Sequence, residues 1–232
     1  MITALDAKLV VRIIAGLALL IGVFFVALSN PSGAWNLLFK VALISGFVSL
    51  IVIPLSSPKI FRWLHKWTGA KHWWFPLLDG VWEGQVHSNW SIVRAMMAAS
   101  KGEREAFDPV NDTLSNDEWD EPVNVRMTIS STLLTVALKM EMLGTNRRSS
   151  SLVVKLDRDE HRAPRLRYLY RQEDSAFIQA FSDSDTHLGA GELVLTEDGQ
   201  NLIGRYWTAR MAERGLNTAG KLSLKRSSQL PP

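Results

Sequence analysis

The sequence predicts a membrane-anchored all-β protein, with two N-terminal transmembrane helices followed by a small antiparallel β-barrel of about eight strands that carries a helical, acidic insertion. Three observations predict it. Two long apolar runs lie before residue 56. From Leu77 onward the apolar positions recur with period two. Turn chemistry breaks that alternation at short intervals: Gly144-Thr145-Asn146, Asp157-Arg158-Asp159-Glu160, Asp183-Ser184-Asp185 and Glu197-Asp198-Gly199-Gln200.

The first run covers residues 9–28 and the second residues 37–55, with Arg12 and Lys40 one turn inside each. A bilayer core about 30 Å thick needs roughly 20 helical residues, so each run is long enough to span. Residues 29–36, SNPSGAWN, are a short turn-rich link that implies a helical hairpin. Lys8 and Arg12 stand at the start of the hairpin, Lys59, Arg62, Lys66 and Lys71 follow it, and the link carries no charge. The positive-inside rule then places both termini in the cytoplasm of a multi-pass inner-membrane protein. A cleaved signal peptide ending near Ala27-Leu28-Ser29 is the competing reading.

Residues 1–57 are thus expected to form the hairpin, and residues 58–76 a basic, aromatic segment with Trp63, Trp67, Trp73 and Trp74 at the bilayer surface, helical until Gly69. The alternative is a linker whose tryptophans pack on the next domain. Residues 77–232 are expected to form a cytoplasmic barrel. In GVWEGQVHSNW, Gly80, Trp82, Gly84, Val86, Ser88 and Trp90 share one face, opposite a mostly polar one. Further strands are expected over residues 123–130, 133–142, 150–156, 166–171, 176–181, 188–195, 202–210 and 221–226. Residues 91–122 interrupt the pattern with a helix-like stretch and an acidic loop, read as an insertion whose charges form a solvated face, a lid or a contact surface.

Polar and aromatic residues on the presumed inner faces are the candidate ligand contacts: Trp82, Ser88, Trp90, Ser149, Ser151, Tyr168, Tyr170, His187, Tyr206, Thr208 and Arg210. An arginine inside a small barrel requires a partner, because desolvating its charge must be compensated. Either Arg210 pairs with a carboxylate at the strand end, or it receives an anionic ligand through its planar fork of donors. Tyrosine and tryptophan rings offer stacking surfaces for bases; equally, Tyr168 and Tyr170 suit a core with hydroxyls bonded to backbone.

The first 76 residues hold seven Lys or Arg against one Asp, and the rest nineteen against twenty-two acids, so the domain itself is slightly acidic. That argues against a non-specific DNA or RNA binder working by phosphate neutralisation. The chain has no cysteine, which removes disulfides and thiolate chemistry. No glycine-rich phosphate loop, G-x-S-x-G elbow or H-E-x-x-H motif occurs, so no enzymatic activity and no cofactor is expected. Asp183, Asp185 and His187 would share a face if extended, but Ser-Asp-Ser-Asp-Thr reads better as a turn than as a metal site.

Taken together, the hairpin, GVWEG…SNW, the serine run after Arg148, LRYLY, HLGAGELVL and LIGRYWTAR cover nearly the whole chain. This pattern resembles the two-transmembrane β-barrel effectors of bacterial CBASS anti-phage systems, which accompany CD-NTase enzymes. The insertion 91–122 and the Trp207-Thr208 pair beside Tyr206 depart from the family pattern and bear on the pocket. The resemblance implies that the barrel binds a cyclic di- or oligonucleotide, that the chain then forms a homo-oligomer, and that its helices disrupt membrane lipid to abort infection. The competing functions are a membrane-tethered, lipocalin-like carrier of an apolar molecule and a structural membrane subunit.

Overall fold

The computed structural model describes residues 57–69, 75–132, 135–145, 147–173, 186–210 and 215–227, with Gly16, Ala18, Leu20, Ile21, Gly22, Phe24, Leu43 and Gly46 as isolated helical positions before them. The chain divides into two compact units, one of Met1–Leu77 with Ser130–Val136 and one of Leu78–Ile129 with Ala137–Pro232.

In the first unit, helix α1 spans Pro58–Trp67. Pro58 opens it, where a missing N–H costs nothing, and Thr68 closes it by donating its hydroxyl to the Leu64 carbonyl at 2.8 Å. Gly69 then turns the chain at φ 63°, in the left-handed region that favours glycine. Phe61 and His65 are buried, and the His65 Nε2–H donates to the Phe75 carbonyl at 2.7 Å. Trp63 and Trp67 stack on each other, centroids 5.9 Å apart, on an exposed face.

The expected membrane architecture requires correction. The two apolar runs lie largely outside the described residues, and among the described residues no helix is long and apolar enough to cross a membrane. The helices with described ends have ten and eleven residues. At 1.5 Å per residue each reaches roughly half the thickness of a hydrocarbon core. The structure therefore does not bear out two transmembrane helices or a multi-pass inner-membrane protein; its positive feature is the barrel.

The second unit contains that barrel, a closed antiparallel sheet in the order β1 to β8. Its strands are β1 (Gly80–Ser88), β2 (Val123–Ser131), β3 (Val136–Met142), β4 (Arg148–Arg158), β5 (Pro164–Glu173), β6 (Thr186–Leu195), β7 (Asn201–Ala209) and β8 (Thr218–Arg226), with helix α2 (Trp90–Ser100) between β1 and β2. The first and last strands pair from Trp82↔Arg226 to Ser88↔Gly220, so the sheet has no free edge. The turn signals at Gly144 and Glu197–Gln200 fall on connections between strands, and the one at Asp157–Glu160 straddles the end of β4. In the turn at Glu197–Gln200, the Asp198 carboxylate accepts from the Gln200 N–H at 2.9 Å, and Gly199 takes φ 70°. The expected strand 176–181 and the turn at Asp183–Asp185 lie outside the described residues.

Alternation assigns the inner face, and antiparallel register sorts that face by height. At one end are Trp82, Met127, Leu166, Leu193, Leu202 and Leu224, all almost wholly buried. The Trp82 indole donates to the Leu78 carbonyl at 2.9 Å, and the Arg226 guanidinium lies 4.3 Å above its ring. At the other end are Ser88, Thr218, Thr208, His187, Gln172 and Ser149. The lumen thus grades from a leucine-rich floor to a polar mouth. A β-bulge in β4 maintains the grading. Ser151 pairs with Tyr170 and Val154 with Tyr168, the register shifting between Ser151 and Val153. The extra residue keeps Ser149, Ser151, Val154 and Leu156 on one face, where unbroken alternation would have put Val153.

On the outer face, Arg165 bridges Asp159 at 2.9 Å and Glu192 at 2.5 Å, while Arg167 bridges Glu192 at 2.5 Å and Asp157 at 2.6 Å. Hydrogen bonding from Arg167, followed by Arg165, holds the Glu192 carboxyl below its ordinary range. The lattice ties β4, β5 and β6 together on the side facing solvent.

Candidate ligand-binding site

A cavity of about 400 Å³ opens at the polar mouth. Val86 and Ser88 reach it from β1, Trp90 from the start of α2, Tyr206 from β7, Thr218 from β8 and Arg210 from just beyond β7. Val123, Met142 and Arg147 come from β2, β3 and the turn before β4. Asp120 and Glu121, the returning end of the insertion, complete the lining.

These positions follow from the local chain path. The Ser88 hydroxyl accepts from the Trp90 N–H at 3.1 Å, which starts α2 immediately after the strand. Asn89 locks that corner to β8: its N–H donates to the Ala219 carbonyl at 2.9 Å, and its side chain accepts from the Ala219 N–H at 2.8 Å. The insertion is clasped at its neck. Ser91 donates to Asp120 at 2.9 Å and accepts from the Asp120 N–H at 2.8 Å, while Arg94 meets the same carboxylate at 2.6 Å. Farther out, Arg104 pairs with Glu118 at 2.7 Å over buried Leu114. Much of the acidic run is therefore engaged within the insertion, and its neck forms one wall of the cavity.

Behind the cavity stands a row of phenols. Tyr168 faces Gly191 across the ladder and Tyr170 faces Gly189. The ring tip of each occupies the space a Cβ on its glycine would need: a Cβ on Gly191 would clash with Tyr168 Cζ, and one on Gly189 with Tyr170 Cζ. The two rings are 5.7 Å apart and tilted. Burial pushes both hydroxyls well above the ordinary phenol range; Arg210 pulls Tyr170 back without reversing the shift. Tyr206 is also shifted upward by burial, against the opposing effects of its hydrogen bond to Ser88 and the charge of Arg210. All three are neutral donors at physiological pH.

The Tyr168 hydroxyl is buried and has no hydrogen-bond partner among the described residues. An unsatisfied buried hydroxyl costs about 1–3 kcal/mol. Tyr168→Phe removes that cost while retaining the ring. Its melting temperature in the absence of ligand is expected to equal or exceed that of the parent protein, measured by differential scanning calorimetry. A clear drop would mean that the hydroxyl is bonded after all.

Of the residues expected from sequence, the fold brings Ser88, Trp90, Tyr206 and Arg210 to the cavity. Thr208 is buried next to it, its hydroxyl 2.5 Å from that of Thr218. Ser149 lies on the inner face of β4 at the same end, and the Ser151 hydroxyl accepts from the Leu138 N–H at 2.9 Å, a structural role. His187 is buried opposite Gln172. Tyr168 and Tyr170 lie deeper, and Trp82 belongs to the floor at the far end. Arg147, Asp120, Glu121 and Thr218 were not anticipated: the first three sit outside the strands, where alternation carries no signal. No family model matches the chain, and no curated protein matches it.

Proposed function

We propose that the barrel is a receptor for a small anionic ligand with stackable rings, and that this ligand is a cyclic di- or oligonucleotide second messenger of the kind used in CBASS anti-phage signalling. One observation carries the proposal: Arg147 and Arg210 share a single cavity with the aromatic side chains of Trp90 and Tyr206. Guanidinium forks bind phosphate bidentately, and aromatic rings accept bases of any sequence. The volume lies within the range of small-molecule sites. The filled leucine floor weighs against a carrier of apolar cargo, which needs an empty greasy lumen. In this proposal the barrel binds and does not catalyse, and occupancy favours self-assembly because the assembled state holds the ligand more tightly.

The full chain titrated with a panel of 3′,3′-cyclic dinucleotides should melt at a higher temperature with at least one of them. A ligand at a hundred times its Kd stabilises by about 2.7 kcal/mol. Arg210→Ala should weaken that ligand roughly tenfold to a hundredfold by isothermal titration calorimetry, the range expected for a charged hydrogen-bonding partner. A panel without effect on melting, or an Arg210→Ala variant with undiminished affinity, would refute the proposal.

A further inference from the structure

The cavity wall carries both signs of charge. Arg147 and Arg210 provide cations, while Asp120 and Glu121 provide carboxylates. The two carboxylates are not equivalent. Asp120 is occupied on both oxygens, by Arg94 at 2.6 Å and by Ser91 at 2.9 Å. That clasp fixes the neck of the insertion and so fixes the residue next to it. Glu121 has no hydrogen-bond or ion-pair partner among the described residues and is exposed at the mouth.

A ligand consisting only of phosphate would be attracted by the arginines and repelled by Glu121. A purely apolar ligand would desolvate the Glu121 carboxylate without compensation. Given the nucleotide ligand proposed above, we infer that Glu121 reads the base and selects guanine. A carboxylate accepts two parallel N–H bonds. Guanine presents such a pair on its Watson–Crick edge, the ring N1–H beside the exocyclic amine. Adenine and cytosine set a ring acceptor beside their amine, and uracil flanks its single N–H with two carbonyls. Each of those acceptors would face the carboxylate with like polarity, so the same group that attracts guanine rejects the others. Trp90, in the lining of the same cavity, offers a face on which the base can stack.

The test compares cyclic di-GMP, cyclic di-AMP and cyclic di-UMP on the full chain by isothermal titration calorimetry, for the parent protein and for Glu121→Gln. The parent should bind the guanine ligand roughly tenfold to a hundredfold more tightly than the others, the discrimination of one bidentate base contact. In Glu121→Gln, an amide that offers one donor and one acceptor, the preference should fall to about twofold or less, with affinity for cyclic di-AMP equal or improved. Equal affinities in the parent, or an undiminished preference in Glu121→Gln, would overturn the base-reading role. If Arg210→Ala still weakened binding in that case, the receptor proposal would survive. If no cyclic dinucleotide bound, both would fall.

Discussion

Trp82→Ala is expected to lower the unfolding free energy by about 3–5 kcal/mol, the usual cost of truncating a fully buried large aromatic. The side chain has no exposed surface, donates to the Leu78 carbonyl at 2.9 Å and carries the Arg226 guanidinium 4.3 Å above its ring. Removal leaves a cavity in the leucine floor, an unpaired carbonyl and a guanidinium without its aromatic partner. A loss of that size is a large fraction of a typical domain's stability. Urea titration followed by circular dichroism measures it, with Trp82→Phe as the milder companion that keeps most of the volume. Trp82→Phe should leave the affinity for the proposed nucleotide ligand unchanged, because the ring lies at the end of the barrel opposite the cavity. Normal stability together with lost binding in Trp82→Ala would move this residue back among the ligand contacts.

Gly204→Ala is expected to cost about 3 kcal/mol, at the upper end of overpacking penalties. A Cβ at this position would stand 1.9 Å from the Glu192 carbonyl oxygen and 2.9 Å from Leu193 Cα. Both obstacles are backbone atoms of β6, held in the ladder by the Leu193↔Gly204 register. No rotamer change relieves the clash, so β6 and β7 must separate locally and their hydrogen bonds lengthen. The bare Cα is required here for close approach, since the residue is not in a left-handed conformation. Thermal melting of Gly204→Ala provides the check: a midpoint within a degree of the parent would show that the strands have room to part.

Trp82 also shows what could be read from sequence and what could not. Period-two alternation placed it on the inner face with Val86 and Ser88, because successive residues of a strand point to opposite sides, but it carried the strand on to Trp90, which instead begins α2. Alternation assigns a side and carries no height. Height comes from register, and register requires partner strands that the local pattern does not identify. The sequence therefore grouped Trp82 with Ser88, whereas the ladders put the first at the floor and the second at the mouth. The bulge after Ser151 defeats local reading in the same way, since the extra residue reassigns Val153 and Val154 between faces. Barrel, turns and insertion were legible because each has a compositional signature. Arg147 and Glu121 were not, because residues outside the strands have no period. In the hydrophobic runs, length and hydropathy pointed to membrane spans; those runs lie largely outside the described residues, among which no helix is long and apolar enough to cross a membrane.

The pairing of β8 with β1 also has a practical consequence. It sets the points where the chain enters and leaves the barrel on neighbouring strands, with the Ser227 N–H donating to the Val81 carbonyl at 2.8 Å. That junction is at the floor, a strand length or on the order of 25 Å from the mouth. A fluorophore or affinity handle attached beside Ser227 would sit at the back of the vessel. It could report on the barrel without standing in the doorway through which a guest must pass.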